Sequence, residues 1–337
     1  MLMKTSTMLF LIMMMLGTIM AISSSSWITT WIGLEINLMS IIPILINKKS
    51  YKSTEASVKY FLIQAMASIF IIFLSLMFNK NFNFNLNSNL EMTLFVIPLM
   101  MKAGVAPLHF WFPQVMNCID WFQGLIMLTW QKIAPLILSS YILSPIISLM
   151  ILSSALVGSL GGFNQNKIKI ILTYSSILHS GWMLMLIFID LTNWMNYFFI
   201  YTFISVIIFF YLKNMSTLNF NNIYSVKNKQ NTNTIFMFNF LSLAGLPPFL
   251  GFSAKIMAIQ NILLKMNFST TILMFLIFNS LISLFYYLKI SYSTFMKSFM
   301  LNKILNIKNK NLKNKMNMIF MMSILGNIFI PILMFLI

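Results

Sequence analysis

Long apolar runs separated by short connectors leave this chain few ways to fold. About eleven of them approach the roughly 20 residues that a helix needs to cross the hydrocarbon core of a bilayer. They fall at approximately 5–24, 27–47, 55–78, 92–115, 121–143, 145–164, 167–188, 194–212, 234–262, 268–295 and 316–337. The predicted class is all-α, a polytopic transmembrane helix bundle. Composition agrees: 59% of the residues are hydrophobic and 8% charged, whereas a soluble protein carries about 25% charged residues. No extramembrane stretch is long enough for a second domain, so residues 1–337 are expected to form one membrane domain.

The net charge of +17 comes from 22 basic and 5 acidic residues, and every basic residue is Lys. The lysines lie mostly between apolar runs, which speaks against nucleic-acid binding and for the positive-inside rule. With eleven spans, one side collects Lys4, Lys48, Lys49, Lys52, Lys167, Lys169, Lys213, Lys227, Lys229, Lys297, Lys303, Lys308, Lys310, Lys313 and Lys315. The other side has Lys80 and Lys265. The N-terminus and the lysine-rich loops are therefore expected on the matrix or cytoplasmic side. The first run is too long for a signal-peptide core and lacks a small-x-small cleavage site, so it is expected to be a retained helix. Lys without Arg, with 31 Met and 33 Phe, suits an AT-rich genome such as that of an animal mitochondrion.

Two segments echo each other. Ala103-Gly104-Val105-Ala106-Pro107 lies in the fourth run and Ala244-Gly245-Leu246-Pro247-Pro248 in the ninth. The offset of five helices predicts two repeats, roughly 1–143 and 145–295, followed by a final helix at 316–337. An odd-numbered unit makes its second copy enter the membrane from the opposite face, so the repeats are inverted. Each contains one discontinuous helix, broken at Gly104 and Pro107 or at Gly245, Pro247 and Pro248. Matched broken helices in inverted repeats point to an ion pathway. A mid-helix Pro frees the carbonyl four residues before it, which for Pro107 is that of Ala103, beside Lys102. Pro98 and Pro135 read as packing kinks.

Four charged residues fall well inside predicted spans: Glu35, Lys102, Lys132 and Lys255. A centred charge costs roughly 2.5–3.5 kcal/mol on insertion scales, so such residues face partners or water. Burial and nearby charge control how tightly an ammonium holds its proton. A carboxylate that approaches or leaves a buried lysine can therefore switch it between holding and releasing a proton. Glu35, Lys102, Lys132 and Lys255 are candidates for such a relay; the alternative is a static ion pair of Glu35 with one lysine. His179 is either a relay member or a hydrogen-bonded core residue, and His109, seven residues beyond Lys102, is a further candidate. Glu55 and Lys59, four apart, read as a helix-start pair, and Asp120 and Asp190 as solvated loop residues. The single cysteine, Cys118, excludes an internal disulfide and a cysteine-ligated iron–sulfur cluster. Nucleotide-binding and metal-ligand motifs are absent from the sequence.

The stretches WIGLEINLMS, TEASVKYFLIQA, MKAGVAPLHFWFPQV, LTWQKIAPL, YSSILHSGWM and LAGLPPFLGFSAK, in that order between about residues 27 and 290, resemble the antiporter-like membrane subunits of mitochondrial NADH–ubiquinone oxidoreductase, respiratory complex I, in an arthropod-like version. The resemblance implies inverted five-helix repeats and a proton channel in which Glu35, Lys102, Lys132 and Lys255 act in turn, with His179 on the central polar axis. It implies an energy source in ubiquinone reduction elsewhere in the complex. FMN, iron–sulfur clusters and ubiquinone belong to the complex as a whole, with no cofactor or metal bound by this chain. The implied partners are other membrane-arm subunits, accessory subunits and lipids, and the implied location is the mitochondrial inner membrane. A cation/proton antiporter subunit outside the respiratory chain and a non-conducting scaffold subunit are the alternative readings. The absence of Arg departs from relatives that carry Arg in their loops.

Overall fold

The computed structural model of the chain describes residues 5–46, 50–78, 88–142, 144–215, 230–264, 270–301 and Gly326. The helix expected at 316–337 lies outside these residues apart from Gly326, as do most of the loop lysines. Among the described residues every element is an α-helix, in the order α1 (Thr5–Ser23), α2 (Trp27–Leu45), α3 (Tyr51–Met77), α4 (Ser88–Ala103), α5 (Trp111–Cys118), α6 (Trp121–Leu128), α7 (Trp130–Ser140), α8 (Ile146–Phe163), α9 (Ile168–Ile189), α10 (Leu191–Met215), α11 (Gln230–Ala244), α12 (Leu250–Leu264) and α13 (Thr270–Leu301). Seven of these are long and apolar enough to cross a membrane: α1, α2, α3, α8, α9, and the Leu191–Lys213 and Thr270–Tyr292 parts of α10 and α13. The chain divides into two compact units, Met1–Ser154 and Ala155–Ile337.

The faces of α3 show which solvent this fold expects. Its buried side carries Ser53, Ala56, Ser57, Tyr60, Gln64, Ala67, Ser68, Ile71 and Ser75, spaced at the helical period. Its exposed side carries Val58, Leu62, Met66, Ile69 and Phe73. A water-soluble helix would have the opposite arrangement. Small and polar residues inside with large apolar residues outside suit a lipid surround, where packing and interhelical hydrogen bonds hold helices together. This is an integral membrane protein.

In the first unit, α1 and α2 cross through glycines. A Cβ on Gly33 would stand 2.6 Å from the Ala21 backbone nitrogen and 2.8 Å from the Gly17 carbonyl oxygen, and one on Gly17 would stand 2.8 Å from the Asn37 nitrogen. Only hydrogen fits at either site, so the two backbones touch as in small-xxx-small pairs of membrane helices. Gly33→Leu should force α1 off α2, at a cost of roughly 1–3 kcal/mol or more. The expected result is a clear loss of assembled protein on a native gel. A wild-type yield would show that α1 does not need this crossing. The far end of α2 is held from α6, where Gln123 Nε2 donates to the Ile44 and Leu45 carbonyls at 2.7 and 3.1 Å. Gln123 Oε1 in turn accepts from the Asp120 N–H at 3.0 Å. Asp120 lies in the connector between α5 and α6, as expected, and caps the start of α6.

In the second unit, α9 is the core helix, buried from Ile168 to Ile187 except at Ile170 and Tyr174. The α8 glycines permit its close approach: a Cβ on Gly158 would stand 2.6 Å from the Leu178 nitrogen, beside His179. Lys169, inside the run expected at 167–188 and counted among the lysines of the basic side, lies in the first turn of α9 and is buried.

Candidate functional site

Both predicted helix breaks are present, and glycine makes each of them. α4 ends at Ala103, and Gly104 takes φ +70°. The Gly104 N–H donates to the Met101 carbonyl (3.3 Å) and the Val105 N–H to the Met100 carbonyl (3.1 Å). α11 ends at Ala244 in the same way. Gly245 takes φ +77°, its N–H donates to the Ser242 carbonyl (3.0 Å), and the Leu246 N–H donates to the Leu241 carbonyl (3.3 Å). This pair of bonds around a left-handed residue is the Schellman motif, which residues with a Cβ rarely close. Pro107, Pro247 and Pro248 follow the helix ends. The helix expected to break at Gly104 and Pro107 ends at Gly104, so Pro107 lies beyond the helix end rather than at a mid-helix kink. The Ala106–Pro107 and Pro247–Pro248 peptide bonds are cis.

Lysines meet both helix ends. Lys102 occupies the last turn of α4, and Lys255 reaches back from α12 so that Nζ donates to the Ala244 carbonyl at 2.7 Å. The carboxyl end of a helix carries unsatisfied carbonyls and favours positive charge. Gly245 also provides the space for this contact, since a Cβ there would stand 2.8 Å from Lys255 Nζ. At the first break, Trp111 Nε1 on α5 donates to the Met101 carbonyl at 3.2 Å. Ser153 Oγ on α8 donates to the Ala106 carbonyl at 2.8 Å.

Lys132 lies in a third interruption that the sequence reading missed. The span predicted at 121–143 is divided at Thr129 (φ −111°, ψ −76°) into α6 and α7. Pro135 has no N–H, so the Gln131 carbonyl lacks its partner in the next turn. The Thr129 hydroxyl also competes for the Leu125 carbonyl, at 2.8 Å. Lys132 follows in the first turn of α7, 1% exposed, with Nζ 5.5 Å from the centroid of the Phe112 ring on α5. That distance allows a cation–π contact.

Glu35 is half-buried on α2. His109 is buried in the first break, with Nδ1 3.2 Å from the Pro107 carbonyl oxygen. His179 is buried mid-way along α9, and Nδ1 forms a hydrogen bond with the Tyr197 hydroxyl of α10 at 2.8 Å. Glu35, Lys102, Lys132 and His109 thus belong to the first unit, and His179 and Lys255 to the second. Glu55 and Lys59 form an ion pair at 2.6 Å, with each side chain more than a third exposed.

The sequence reading also passed over uncharged polar groups near Lys102. A small cavity is lined by Leu34, Asn37, Leu38, Tyr60, Gln64, Lys102, Gln131 and Pro135. The space open to the centre of a water molecule is about 10 Å³, room for about one water. Gln64 Nε2 donates to the Lys102 carbonyl at 3.4 Å. The available signal was the four-residue spacing of Tyr60 and Gln64, which puts two polar side chains on one helix face.

Residues 24–283 match the family described as NADH:quinone oxidoreductase/Mrp antiporter, TM. The chain is 43% identical to NADH-ubiquinone oxidoreductase chain 2 of Anopheles gambiae, over 94% of its own length and 93% of the mosquito protein. The chain belongs to the NADH-ubiquinone oxidoreductase chain 2 family. Chain 2 of Aedes aegypti is 42% identical over 96% of this chain and 97% of that protein. The fold of the chain 2 family extends to more distant structures. A chain of respiratory complex I from Thermus thermophilus with bound aureothin superposes with a TM-score of 0.80 at 21% identity, covering 96% of this chain and 77% of the other. A chain of the Mrp complex from Dietzia gives 0.70 at 17% identity, covering 83% and 59%.

Proposed function

We propose that this chain is a core membrane subunit of proton-pumping NADH:ubiquinone oxidoreductase and that it conducts protons through buried lysines, with Glu35, Lys102 and Lys132 acting in the first unit and His179 and Lys255 in the second. The observation that carries the reading is the burial of Lys102, Lys132 and Lys255 (6%, 1% and 8% exposed), each beside an interrupted helix. Buried ammonium groups are costly in lipid and are kept where charge or protons move. Interrupted helices supply the backbone dipoles that such sites use. The family membership supplies the rest: quinone reduction elsewhere drives the transfer, and this chain performs no redox step. FMN, iron–sulfur clusters and ubiquinone are assigned to the complex as a whole, and the contacts of this chain to neighbouring membrane-arm subunits and lipids.

Seven unbroken spans, the broken pairs α4/α5, α6/α7 and α11/α12, and the apolar segment 316–337 together make up the eleven passes we assign. The Gly104 and Gly245 motifs then occupy matched positions in inverted repeats. The lysine-rich loops and N-terminus face the matrix of the mitochondrial inner membrane.

On a native gel, the chain is expected to co-migrate with a large NADH-oxidising assembly. Its presence only in small, NADH-inactive species would overturn the assignment. In proteoliposomes, transport that needs sodium would favour the antiporter reading. Unchanged pumping after joint neutralisation of Glu35, Lys102, Lys132 and Lys255 would favour the scaffold.

A further inference from the structure

The cavity beside Lys102 is closed on one side by a ring of hydrogen bonds that the relay does not use. Asn37 Nδ2 donates to Gln131 Oε1 at 3.0 Å, and Gln131 Nε2 donates to Asn37 Oδ1 at 2.9 Å. The Tyr60 hydroxyl donates to the same Gln131 oxygen at 3.3 Å. Asn37, Gln131 and Tyr60 are 5%, 8% and 3% exposed. Two amides paired in this way satisfy each other along their facing edge, so neither has a donor or acceptor there to order a water. Carboxamides also carry no proton that titrates in the physiological range. A closed pair is therefore a barrier to a water-borne proton, although every atom in it is polar.

Its position makes that barrier useful. Asn37 lies two residues after Glu35 on α2, and Gln131 lies immediately before Lys132 on α7. Lys102 and both amides line the cavity, and Lys132 is not among its lining residues. A shift of α2 against α7 pulls the amides apart and frees their donors and acceptors at the edge of a space that holds about one water. Water then satisfies the separated groups, because a buried polar group left without a partner is strongly unfavourable.

We propose that the Asn37–Gln131 amide pair, braced by Tyr60, is a gate that keeps the cavity at Lys102 apart from Lys132 and opens when α2 and α7 move relative to one another. The gate rests on the reading of Lys102 and Lys132 as proton carriers. Asn37, Gln131 and Tyr60 are positioning residues in it, since none of them takes up or releases the transferred proton.

The test uses the whole complex in proteoliposomes, with passive proton conductance measured without NADH and protons moved per electron measured with it. Asn37→Leu and Gln131→Leu each leave one amide without its partner. Each is expected to raise passive conductance roughly tenfold, the population change that follows from losing two net hydrogen bonds, and to lower the protons moved per electron. The exchange Asn37→Gln with Gln131→Asn restores two facing amides and should bring both quantities back toward wild type. Tyr60→Phe removes one hydroxyl and should raise conductance by roughly threefold. A merely structural pair would reduce the amount of assembled complex without changing conductance per complex. Wild-type conductance in assembled single variants overturns the gate. If the Leu variants do not assemble, wild-type conductance in Tyr60→Phe overturns it instead. Unchanged pumping in Lys102→Met would remove the relay, and the gate with it. Impaired pumping in Lys102→Met beside normal Asn37→Leu and Gln131→Leu would remove the gate alone.

Discussion

Lys102→Met is expected to lower coupled proton transfer by at least about tenfold while the complex still assembles. The two outcomes separate because they depend on different properties of the side chain. Lys102 is 6% exposed, and its ammonium is a charge removed from water at a cost of several kcal/mol. Met is similar in length and apolar, so the substitution removes that cost and leaves the packing of α4 nearly intact. The Gly104 turn and the bond from Gln64 both use backbone atoms and survive. What disappears is the group that holds a proton beside the cavity. A positioned proton carrier contributes typically 10²–10⁴-fold to a rate, and neighbouring water replaces part of this. Protons moved per electron in proteoliposomes are the measurement. An assembled mutant with wild-type stoichiometry would place Lys102 outside the relay.

The second large effect is expected at Gly251. A Cβ built there falls within van der Waals contact of the Ser242 carbonyl oxygen, far closer than any real Cβ stands. The neighbouring atom belongs to the backbone at the end of α11, held by the Gly245 turn, and cannot swing aside as a side chain would. Gly251→Ala therefore has to push α12 away from α11. Gly251 and Lys255 are four residues apart and share a face, so the displacement takes Lys255 Nζ off the Ala244 carbonyl, now at 2.7 Å. Overpacking of this kind costs typically 1–3 kcal/mol. We expect several-fold less assembled complex on a native gel and a lower proton stoichiometry in the part that assembles. Wild-type yield and stoichiometry together would show that the α11–α12 contact is not rigid.

These expectations draw unequally on sequence and structure. The apolar runs were readable because helix length in a bilayer follows from its thickness, so runs of about 20 residues identify themselves. The breaks were readable because few residues other than glycine take a positive φ and proline donates no N–H, both of which are properties of the residue itself. The buried lysines stood out because a charge in an apolar run is costly wherever its partners are. The break at Thr129 was missed because its only local signal is one hydroxyl, which competes for the Leu125 carbonyl, inside an otherwise continuous apolar run. The burial of Lys169 was missed because it depends on what packs against α9, and the sequence does not show that.

By itself the sequence determined the membrane setting, the position of most spans, the two glycine turns and the identity of three buried lysines, Lys102, Lys132 and Lys255. Each of these follows from local properties: hydropathy over one helix length, backbone freedom at one residue, charge on one side chain. The tertiary structure decided which polar group each buried residue meets. Asn37 and Gln131 are 94 residues apart, yet they form a closed pair because the tight glycine crossing of α1 and α2 and the cap from Gln123 fix where α2 lies. In an apolar surround a polar side chain must find a partner, but packing chooses which one. For that reason the lysines could be named from the sequence, while the amide ring beside Lys102 was visible only in the fold.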